Sequence, residues 1–283
     1  PFPFFTIVSL LPLFLLHSEG MKKPIEYHVQ ENGTAVLRIN RPEARNALNW
    51  AAQEAFAAAV DQAAHNAHLR VLIVTGSGER AFAAGADLKE LSRHPEAAAG
   101  ERLNRIMSGA LAQLAELPLP VIAAINGDAF GGGCEILTAC DLRIAAAHVR
   151  FSFAQVKNAL TSGWGGTGRL VQLIGQSRAI ELMLTARLFD VEEARQIGLV
   201  HRITPPGTDV LAAALAWADD LMQFSRGALA ANKALAHTAV HHSLAETNRL
   251  ESELFVSLWP QPDHLEALQA FVEKRKPEFN GNR

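Results

Sequence analysis

The sequence predicts an α/β fold with stacked sheets, followed by a C-terminal module made of helices alone. Two observations carry this prediction. Up to Pro205, short and wholly apolar runs of strand length alternate with longer helical patterns, and this alternation is typical of α/β proteins. After the turn signal Pro205-Pro206-Gly207 the pattern becomes helical to the end of the chain.

The predicted elements follow one another in a regular order. Strands are predicted at residues 35–39, 71–75, 121–125, 142–145 and 199–203. Helices are predicted at 50–67, 100–116, 134–139, 169–174, 179–185 and 191–197, and then at 209–224, 228–242, 244–258 and 263–275. The last helix opens with Asp263-x-x-Glu266, a capping-box arrangement. We therefore divide the chain into an α/β core at 21–206 and a helical module at 207–283.

Residues 1–20 are predicted to be an upstream segment outside the fold. The apolar run at 2–16 resembles the core of a signal peptide, but it lacks a basic flank, contains Pro3 and Pro12, and is short for a membrane span. Met21 looks like the natural start, with secretion as the alternative. We expect a cytoplasmic protein without a membrane partner.

The composition indicates a globular protein. Its 283 residues are 49% hydrophobic and 19% charged, which allows a substantial core. The net charge is −3 and the basic residues are scattered, so nucleic-acid binding is not expected and an anionic ligand needs local positive charge. Cys134 and Cys140 lie six residues apart on one predicted helix, about 9 Å along its axis, which is too far for a disulfide. We expect both to be core thiols of a reducing compartment.

No metal site is predicted. His237 and His241 have the spacing of a metal-binding pair on a helix, but no carboxylate or cysteine joins them at ligand spacing. The sequence contains neither a P-loop nor the G-x-S-x-G motif of serine hydrolases, and Gly76-Ser77-Gly78 lacks the third glycine of a dinucleotide fingerprint.

The stretch from Asn126 to Asp141, NGDAFGGGCEILTACD, carries the strongest functional signal. It follows a buried strand and passes through three glycines into residues that suit a helix. The first N–H groups of a helix have no internal partner, so this turn can present donors to an oxygen that gathers negative charge. Glu135, three residues beyond Gly132, can exchange a proton in the same pocket. A simple tight turn with a glutamate that complements the helix dipole is the alternative.

A second glycine turn follows the strand at 71–75. It leads into AFAAGADL at 81–88, where small residues let a ligand approach the backbone. Asp87 is suited to cap a helix that starts near Leu88. The two glycine turns can face each other across one pocket.

Three stretches in this order resemble the signatures of the enoyl-CoA hydratase/isomerase (crotonase) family: NRPEARNAL at 40–48, AFAAGADLKE at 81–90 and INGDAFGGGCEILTACDLRIA at 125–145. The resemblance extends from about Ile25 to Phe279. It implies a crotonase-like spiral of ββα turns in the core and a helical oligomerisation module that forms a homotrimer or a hexamer of two trimers. It also implies a place in fatty acid metabolism and an acyl-CoA substrate, with coenzyme A as part of that substrate and no permanently bound cofactor.

The resemblance also assigns roles to individual residues. The backbone N–H groups of Ala86 and Gly132 match the pair that holds the thioester carbonyl and the enolate formed from it. The residues expected along the channel for coenzyme A are Ala44, Arg45, Ala84, Asp87 and Leu88, with Phe271 and Lys274 reaching it from a neighbouring subunit. Phe130 and Trp164 are expected in the substrate pocket, and for Trp164 the alternative is packing over a glycine turn.

One position departs from the family's hydratases, which use two glutamates. The first glutamate matches Glu135, and an ungapped register on Gly163-Trp164-Gly165-Gly166 brings Gln155 to the second position. An amide can orient water but does not ionise near neutral pH. Glu135 must therefore both take a proton from water and deliver one to the α carbon, or the reaction is a different one.

Three functions stay open at this stage. The first is an enoyl-CoA hydratase or isomerase, with Glu135 as principal acid/base and Gln155 holding water or substrate. The second is decarboxylation of an alkylmalonyl-CoA, which forms the enolate by loss of CO2 and needs no base. The combination of GGG-x-E with SGWGGTGRL resembles ethylmalonyl-CoA decarboxylases. The third is a CoA-binding homologue that has lost catalysis.

Overall fold

The computed structural model describes residues 22–279, so the expectation for residues 1–20 lies outside the described part of the chain. The strands of this part are β1 (Ile25–Val29), β2 (Thr34–Ile39), β3 (Val71–Gly76), β4 (Ala81–Ala83), β5 (Val121–Ile125), β6 (Asp128–Phe130), β7 (Leu142–Ala146), β8 (Arg150–Ser152), β9 (Phe189–Asp190) and β10 (Arg202–Thr204). Its helices are α1 (Trp50–His65), α2 (Leu88–Leu91), α3 (Ala97–Glu116), α4 (Gly132–Thr138), α5 (Gly166–Ile174), α6 (Gln176–Thr185), α7 (Val191–Gln196), α8 (Val210–Leu221), α9 (Arg226–His241), α10 (Leu244–Leu258) and α11 (Pro262–Glu273). Two 3-10 turns lie at Pro42–Ala44 and Ala154–Asn158.

A six-stranded sheet forms the centre of the core. Its order is β1-β2-β3-β5-β7-β10, and every neighbouring pair except β1–β2 is parallel. All residues of β3 and β5 are buried, which explains why both strands are unbroken apolar runs in the sequence. The strand predicted at 199–203 is only partly right, because β10 begins at Arg202 and buried Leu199 and Val200 lie in the irregular segment before it.

A second sheet consists of four short strands in the order β4-β6-β8-β9. Strands β4, β6 and β8 are parallel, and β9 is antiparallel to β8. Along the chain, β3 and β4 are followed by helices, and the same order repeats with β5 and β6 and with β7 and β8. Each repeat therefore adds one strand to each sheet and then a helix, which confirms the predicted spiral of ββα turns.

Nearby side chains determine where helices α2 and α11 begin. The carboxylate of Asp87 accepts hydrogen bonds from the amides of Lys89 and Glu90, so the predicted cap of α2 is confirmed. The capping box predicted at Asp263 is wrong. Helix α11 starts one residue earlier, with Pro262 in its first turn, and Glu266 instead binds Arg275, whose Nη2 lies 2.9 Å from Oε2.

The C-terminal module is attached to the core at a few points. Helix α8 packs against β3, β5 and β7. Arg70 Nη2 donates to the carbonyl oxygen of Met222 at 2.9 Å, and Lys233 Nζ of α9 lies 2.7 Å from Asp141 Oδ2. Large apolar side chains nevertheless stay exposed in and beside α9 to α11, namely Val240, Leu244, Phe255, Val256, Trp259, Leu265, Leu268, Phe271 and Val272. Between residues 22 and 279, no helix has the length and apolarity needed to span a membrane.

Candidate active site

The candidate site lies where three neighbouring parallel strands end. Because β4, β6 and β8 run side by side in one direction, the segments that follow them begin at the same edge of the small sheet. These segments are the loop at 84–87, the glycine turn that opens α4, and the 3-10 turn Ala154–Asn158. They carry Ala86, Gly132 and Gln155, which are far apart in the sequence.

The first two segments touch each other at glycines. Gly85 has φ +85°, and a Cβ built on it would lie 2.7 Å from the amide nitrogen of Gly132. A side chain is therefore excluded at Gly85 by both conformation and packing. Leu48 holds the loop in place, since its amide donates to Gly85 at 2.8 Å and its carbonyl accepts from Asp87 at 3.0 Å. Within the described part of the chain, the amides of Ala86 and Gly132 donate to no other group, so two free donors lie at adjacent turns.

Trp164 covers the second turn. A Cβ on Gly132 would lie 2.4 Å from the indole ring of Trp164, so the ring packs directly on this glycine. Trp164 is only 2% exposed. The structure thus shows the alternative for Trp164, which is packing over the glycine turn. A contact of Trp164 with substrate stays a prediction.

Glu135 is the buried acid of the site, at 2% exposure, and it accepts hydrogen bonds from five groups. Oε1 accepts from Gln155 Nε2 at 2.9 Å and from the Gly163 amide at 3.4 Å. Oε2 accepts from the Ser162 hydroxyl and from the amides of Trp164 and Gly166, both at 2.9 Å. All five partners donate, so both oxygens of the Glu135 carboxyl group act as acceptors.

The structure brings Gln155 beside Glu135, as the ungapped register predicts. Gln155 lies on the 3-10 turn after β8 and is partly exposed, while its amide nitrogen reaches Glu135. The nearby Lys157 is exposed on the same turn. The candidate site therefore pairs Glu135 with an amide at the position where the resemblance implies a second glutamate.

Arg169 adds positive charge next to the buried acid. Its guanidinium donates to the carbonyl of Trp164 at 2.8 Å and to the hydroxyl of Thr138 at 3.3 Å. Burial lowers the pKa of Arg169, and the charge of Glu135 partly offsets this shift. Neither Arg169 nor Ser162 is predicted from the sequence, although Ser162 directly precedes the glycine-rich run that carries the amide donors.

The loop at 44–48 adjoins the loop at 84–87. The amide of Ala84 donates to the carbonyl of Arg45 at 3.1 Å. Arg45 and Asn46 are both left-handed, with φ +53° and +54°. The side chain of Asn46 holds this strained turn, because it donates to the Ala81 carbonyl at 2.7 Å and accepts from the Arg41 amide at 3.0 Å. The structure therefore brings Ala44, Arg45 and Ala84 together beside Ala86.

Asp87 and Leu88 lie at the start of α2. Leu88 is exposed. Burial acts to raise the pKa of Asp87, but the hydrogen bond from Arg41 at 2.9 Å and those from the helix amides outweigh it and hold the pKa below its ordinary value. The backbone of Asp87 is engaged as well, since its amide donates to the Leu48 carbonyl at 3.0 Å, and a contact of Asp87 with a ligand stays a prediction.

A cavity of about 540 Å³ opens beside these loops. Its lining includes Arg45, Arg80, Ala84, Phe130, His148 and Arg150. Two of these residues are predicted for the coenzyme A channel and one, Phe130, for the substrate pocket. The lining also includes Glu79 and Asp128, and Asp128 pairs with Arg150 at 2.7 Å, so three arginines face two carboxylates and the excess is one positive charge.

Phe271 and Lys274 lie at the end of α11. Phe271 is 83% exposed. The ammonium group of Lys274 has no hydrogen bond or ion pair with any residue between 22 and 279. Both side chains are therefore available to a neighbouring subunit, and their predicted role there stays a prediction.

Known proteins share this architecture. The family model described as enoyl-CoA hydratase/isomerase matches residues 29–282. Short-chain-enoyl-CoA hydratase of Clostridium acetobutylicum is 34% identical over 254 residues, which cover 90% of this chain and 97% of that protein. Mitochondrial methylglutaconyl-CoA hydratase of Homo sapiens is 34% identical over 273 residues, which cover 94% of this chain and 80% of that protein.

A solved structure agrees with these matches. The crystal structure of enoyl-CoA hydratase from Bacillus anthracis has a TM-score of 0.87 and 34% identity, covering 91% of this chain and 99% of that chain. The chain belongs to the enoyl-CoA hydratase/isomerase family. The predicted crotonase fold and the prediction of an enzyme of this family are confirmed.

Proposed function

We propose that the protein acts on acyl-CoA thioesters through an enolate, as an enoyl-CoA hydratase/isomerase. One observation carries this proposal. The two free amides, those of Ala86 and Gly132, adjoin each other at the start of the helix that bears the buried carboxylate of Glu135. Two donors aimed at one oxygen, beside a group that exchanges protons, are what enolate formation from a thioester requires.

The thioester carbonyl would accept both amide hydrogen bonds. As the Cα–H bond of a 3-enoyl-CoA breaks, its proton forms an O–H bond on Glu135 and the electron pair moves into the enolate. Return of the proton at Cγ gives the 2-enoyl-CoA. In hydration, water adds at Cβ while Glu135 takes the proton of the water and delivers one to Cα, and Gln155 orients the water.

Coenzyme A takes part only as a portion of the substrate, and we propose no permanently bound cofactor. The backbone at Ala44, Arg45, Ala84, Asp87 and Leu88 would line its channel, with Phe130 and Trp164 on the acyl side. The adjoining cavity supports this arrangement, because its arginines outnumber its carboxylates by one, and Arg45 and Arg80 supply positive charge that phosphates need.

We also propose a homotrimer, or a hexamer of two trimers, working in the cytoplasm in fatty acid metabolism. The exposed apolar side chains of α9 to α11 support assembly, since such surfaces are typical of interfaces. Phe271 and Lys274 would then complete the coenzyme A channel of a neighbour. The free, buried Cys134 and Cys140 support a reducing compartment.

A specific observation favours a second candidate, decarboxylation of an alkylmalonyl-CoA. The second proton-transfer position holds Gln155, whose amide donates to Glu135 at 2.9 Å. Loss of CO2 yields the enolate directly, so one carboxylate and the two amides suffice. A neutral amide at this position also avoids repulsion of the substrate carboxylate.

The two candidates differ in the effect of Gln155→Glu on crotonyl-CoA, a 3-enoyl-CoA and ethylmalonyl-CoA. For a hydratase/isomerase, wild type converts the enoyl thioesters, and the variant hydrates crotonyl-CoA faster because a proton donor returns near Cα. For a decarboxylase, the second carboxylate lies within hydrogen-bond distance of Glu135, the like charges repel, and turnover of ethylmalonyl-CoA falls.

Gln196→Glu is the matched control, because Gln196 is exposed at the end of α7 and the change in charge is the same. It should leave kcat/KM on all three thioesters unchanged. If folded wild-type protein turns over none of them but binds them, the enzyme proposal fails and the third function, a CoA-binding homologue without catalysis, takes its place.

A further inference from the structure

The hydroxyl hydrogen of Ser162 has one possible direction. The amide of Gly166 can only donate, and its one hydrogen is shared between Ser162 Oγ at 3.2 Å and Glu135 Oε2 at 2.9 Å. The ionised carboxylate of Glu135 can only accept. The Ser162 hydroxyl must therefore give its hydrogen to Glu135 Oε2, with which it is in direct contact.

The two oxygens of Glu135 differ in their remaining capacity for a proton. Oε2 accepts from Ser162 and from the amides of Trp164 and Gly166, both at 2.9 Å. Oε1 has one ordinary hydrogen bond, from Gln155 at 2.9 Å, and one long contact at 3.4 Å. Oε2 therefore accepts from three donors, and Oε1 accepts from two, of which the Gly163 amide is the more distant, so Oε1 has the larger remaining capacity for a proton.

We propose that Ser162 is a positioning residue that makes Oε1 the oxygen through which Glu135 exchanges protons. When the carboxyl group is protonated at Oε1, Oε2 becomes a carbonyl oxygen that still accepts all three of its donors. A proton on Oε2 would instead point toward the hydrogens of these three donors, which repel it. The inference rests on the proposed enolate chemistry, and it adds a residue to that mechanism.

The step that Ser162 supports is balanced within the site. The Cα–H bond of the thioester breaks, its proton forms an O–H bond at Glu135 Oε1, and the electron pair moves to the thioester oxygen between the two amides. The reverse step breaks the O–H bond and forms a C–H bond again. In heavy water the proton on Oε1 exchanges with a deuteron of the solvent before the reverse step, so each such cycle labels Cα without a net reaction.

The loop that carries Ser162 is held by other contacts. Asn104 Nδ2 of α3 donates to the Gly163 carbonyl at 2.6 Å, and Arg169 donates to the Trp164 carbonyl at 2.8 Å. Ser162 itself is partly exposed. Loss of its hydroxyl should therefore change the hydrogen bonding of Glu135 while the loop keeps its position.

The test is deuterium incorporation at Cα of butyryl-CoA in heavy water, followed by mass spectrometry as a function of butyryl-CoA concentration. Ser162→Ala should lower kcat for exchange by about tenfold, the effect of one hydrogen bond to a charged group, and leave KM unchanged. Ser162→Thr keeps the hydroxyl and should retain the wild-type kcat. Thr167→Ala is the matched control, because Thr167 is exposed and its hydroxyl bonds to no described residue.

The outcomes separate this inference from the proposed function. If wild type shows no exchange, enolate formation by removal of a proton from Cα and the role of Ser162 both fail. If wild type exchanges and Ser162→Ala matches its kcat, only the role of Ser162 fails. Equal losses in Ser162→Ala and Ser162→Thr, or a change confined to KM, also contradict it, since packing rather than the hydroxyl would then matter. Melting temperatures of all variants show whether they are folded.

Discussion

The α/β core and the C-terminal helices place their apolar side chains differently. Every residue of β3 and β5 is buried, whereas no residue of α10 is. Phe255 in α10 is 61% exposed and Phe271 in α11 is 83% exposed. The central strands of the core thus bury their apolar residues within one chain, whereas α10 and α11 present apolar surface that one chain leaves uncovered.

Under the proposed function, the core carries out the chemistry and the C-terminal helices form the contacts between subunits. The free amides and Glu135 all lie in the core, on segments fixed by hydrogen bonds within the same chain. Phe271 and Lys274 lie on the uncovered helices. Substitutions in the core should therefore alter turnover and spare assembly, while substitutions at the end of α11 should act through a neighbouring subunit.

The largest effect is expected for Glu135→Gln. It removes the group that exchanges protons, so kcat should fall on the order of 10³-fold, as for loss of a general acid/base. The new amide nitrogen also faces backbone donors, so the melting temperature should fall as well. Steady-state kinetics and native mass measure turnover and assembly.

Glu31→Gln is the control for this substitution, because Glu31 is exposed in the turn between β1 and β2. It should match wild type in both measurements. A folded Glu135→Gln protein with wild-type turnover would exclude the proposed acid/base role.

Gly132→Ala tests the packing between the glycine turn and Trp164. The added methyl would lie 2.4 Å from the indole ring, so the ring and the Trp164 amide that binds Glu135 must move. A displacement of this kind should lower kcat by about 10²-fold. Proline at this position would remove the amide donor but would also collide with the same ring, so alanine is the clearer change.

Gly109→Ala is the matched control in helix α3, where an added Cβ meets nothing within 4 Å. It should leave kcat unchanged and stabilise the protein by about 0.5–1 kcal/mol, because alanine is the better helix former. Thermal unfolding measures the second effect. If both alanine variants keep wild-type kcat, the contact between Gly132 and Trp164 is irrelevant to catalysis.

Lys274→Glu tests the contribution of the C-terminal helices to a neighbour's site. Reversing the charge should weaken coenzyme A binding by about tenfold at low salt, and less at high salt. Calorimetric titration with coenzyme A and with its dephosphorylated form measures this. Lys276→Glu changes the net charge equally on an exposed neighbour and should bind as wild type does. Equal affinity of wild type for both ligands would argue against a phosphate contact.

The smallest effect is expected at the core thiols. Burial raises the pKa of Cys134 and of Cys140 to about 12, so both stay protonated at mildly alkaline pH. Ellman's reagent should label neither thiol in the folded protein and both after denaturation. Rapid labelling of the native protein would mean that the core is less closed than the structure shows.

Sequence patterns predict the parts of this molecule that are long and uniformly buried. Strands β3 and β5 are such parts, and their apolar runs identify them. Strands β4, β6, β8 and β9 have three residues or fewer, which is too short to show a periodicity, so the second sheet is not seen in the sequence pattern.

The same limit applies to the site. Gln155 can be placed beside Glu135 because the glycine run fixes its register, and the 2.9 Å contact agrees with that placement. The contacts of Ser162 and Arg169 depend on how the loop at 162–166 folds over α4, which local sequence does not determine. Asp263 illustrates the opposite error. The sequence there matches the capping-box motif, but the helix starts one residue earlier, at Pro262.

The central claim is that the amides of Ala86 and Gly132 hold the thioester oxygen beside Glu135. Infrared difference spectroscopy of crotonyl-CoA labelled with carbon-13 at the carbonyl tests it most directly. Two hydrogen bonds to the oxygen should lower the carbonyl stretching frequency of the bound ligand relative to that in water, and the shift should persist in Glu135→Gln because the amides remain. A bound carbonyl band at the same frequency as in free crotonyl-CoA would contradict the account.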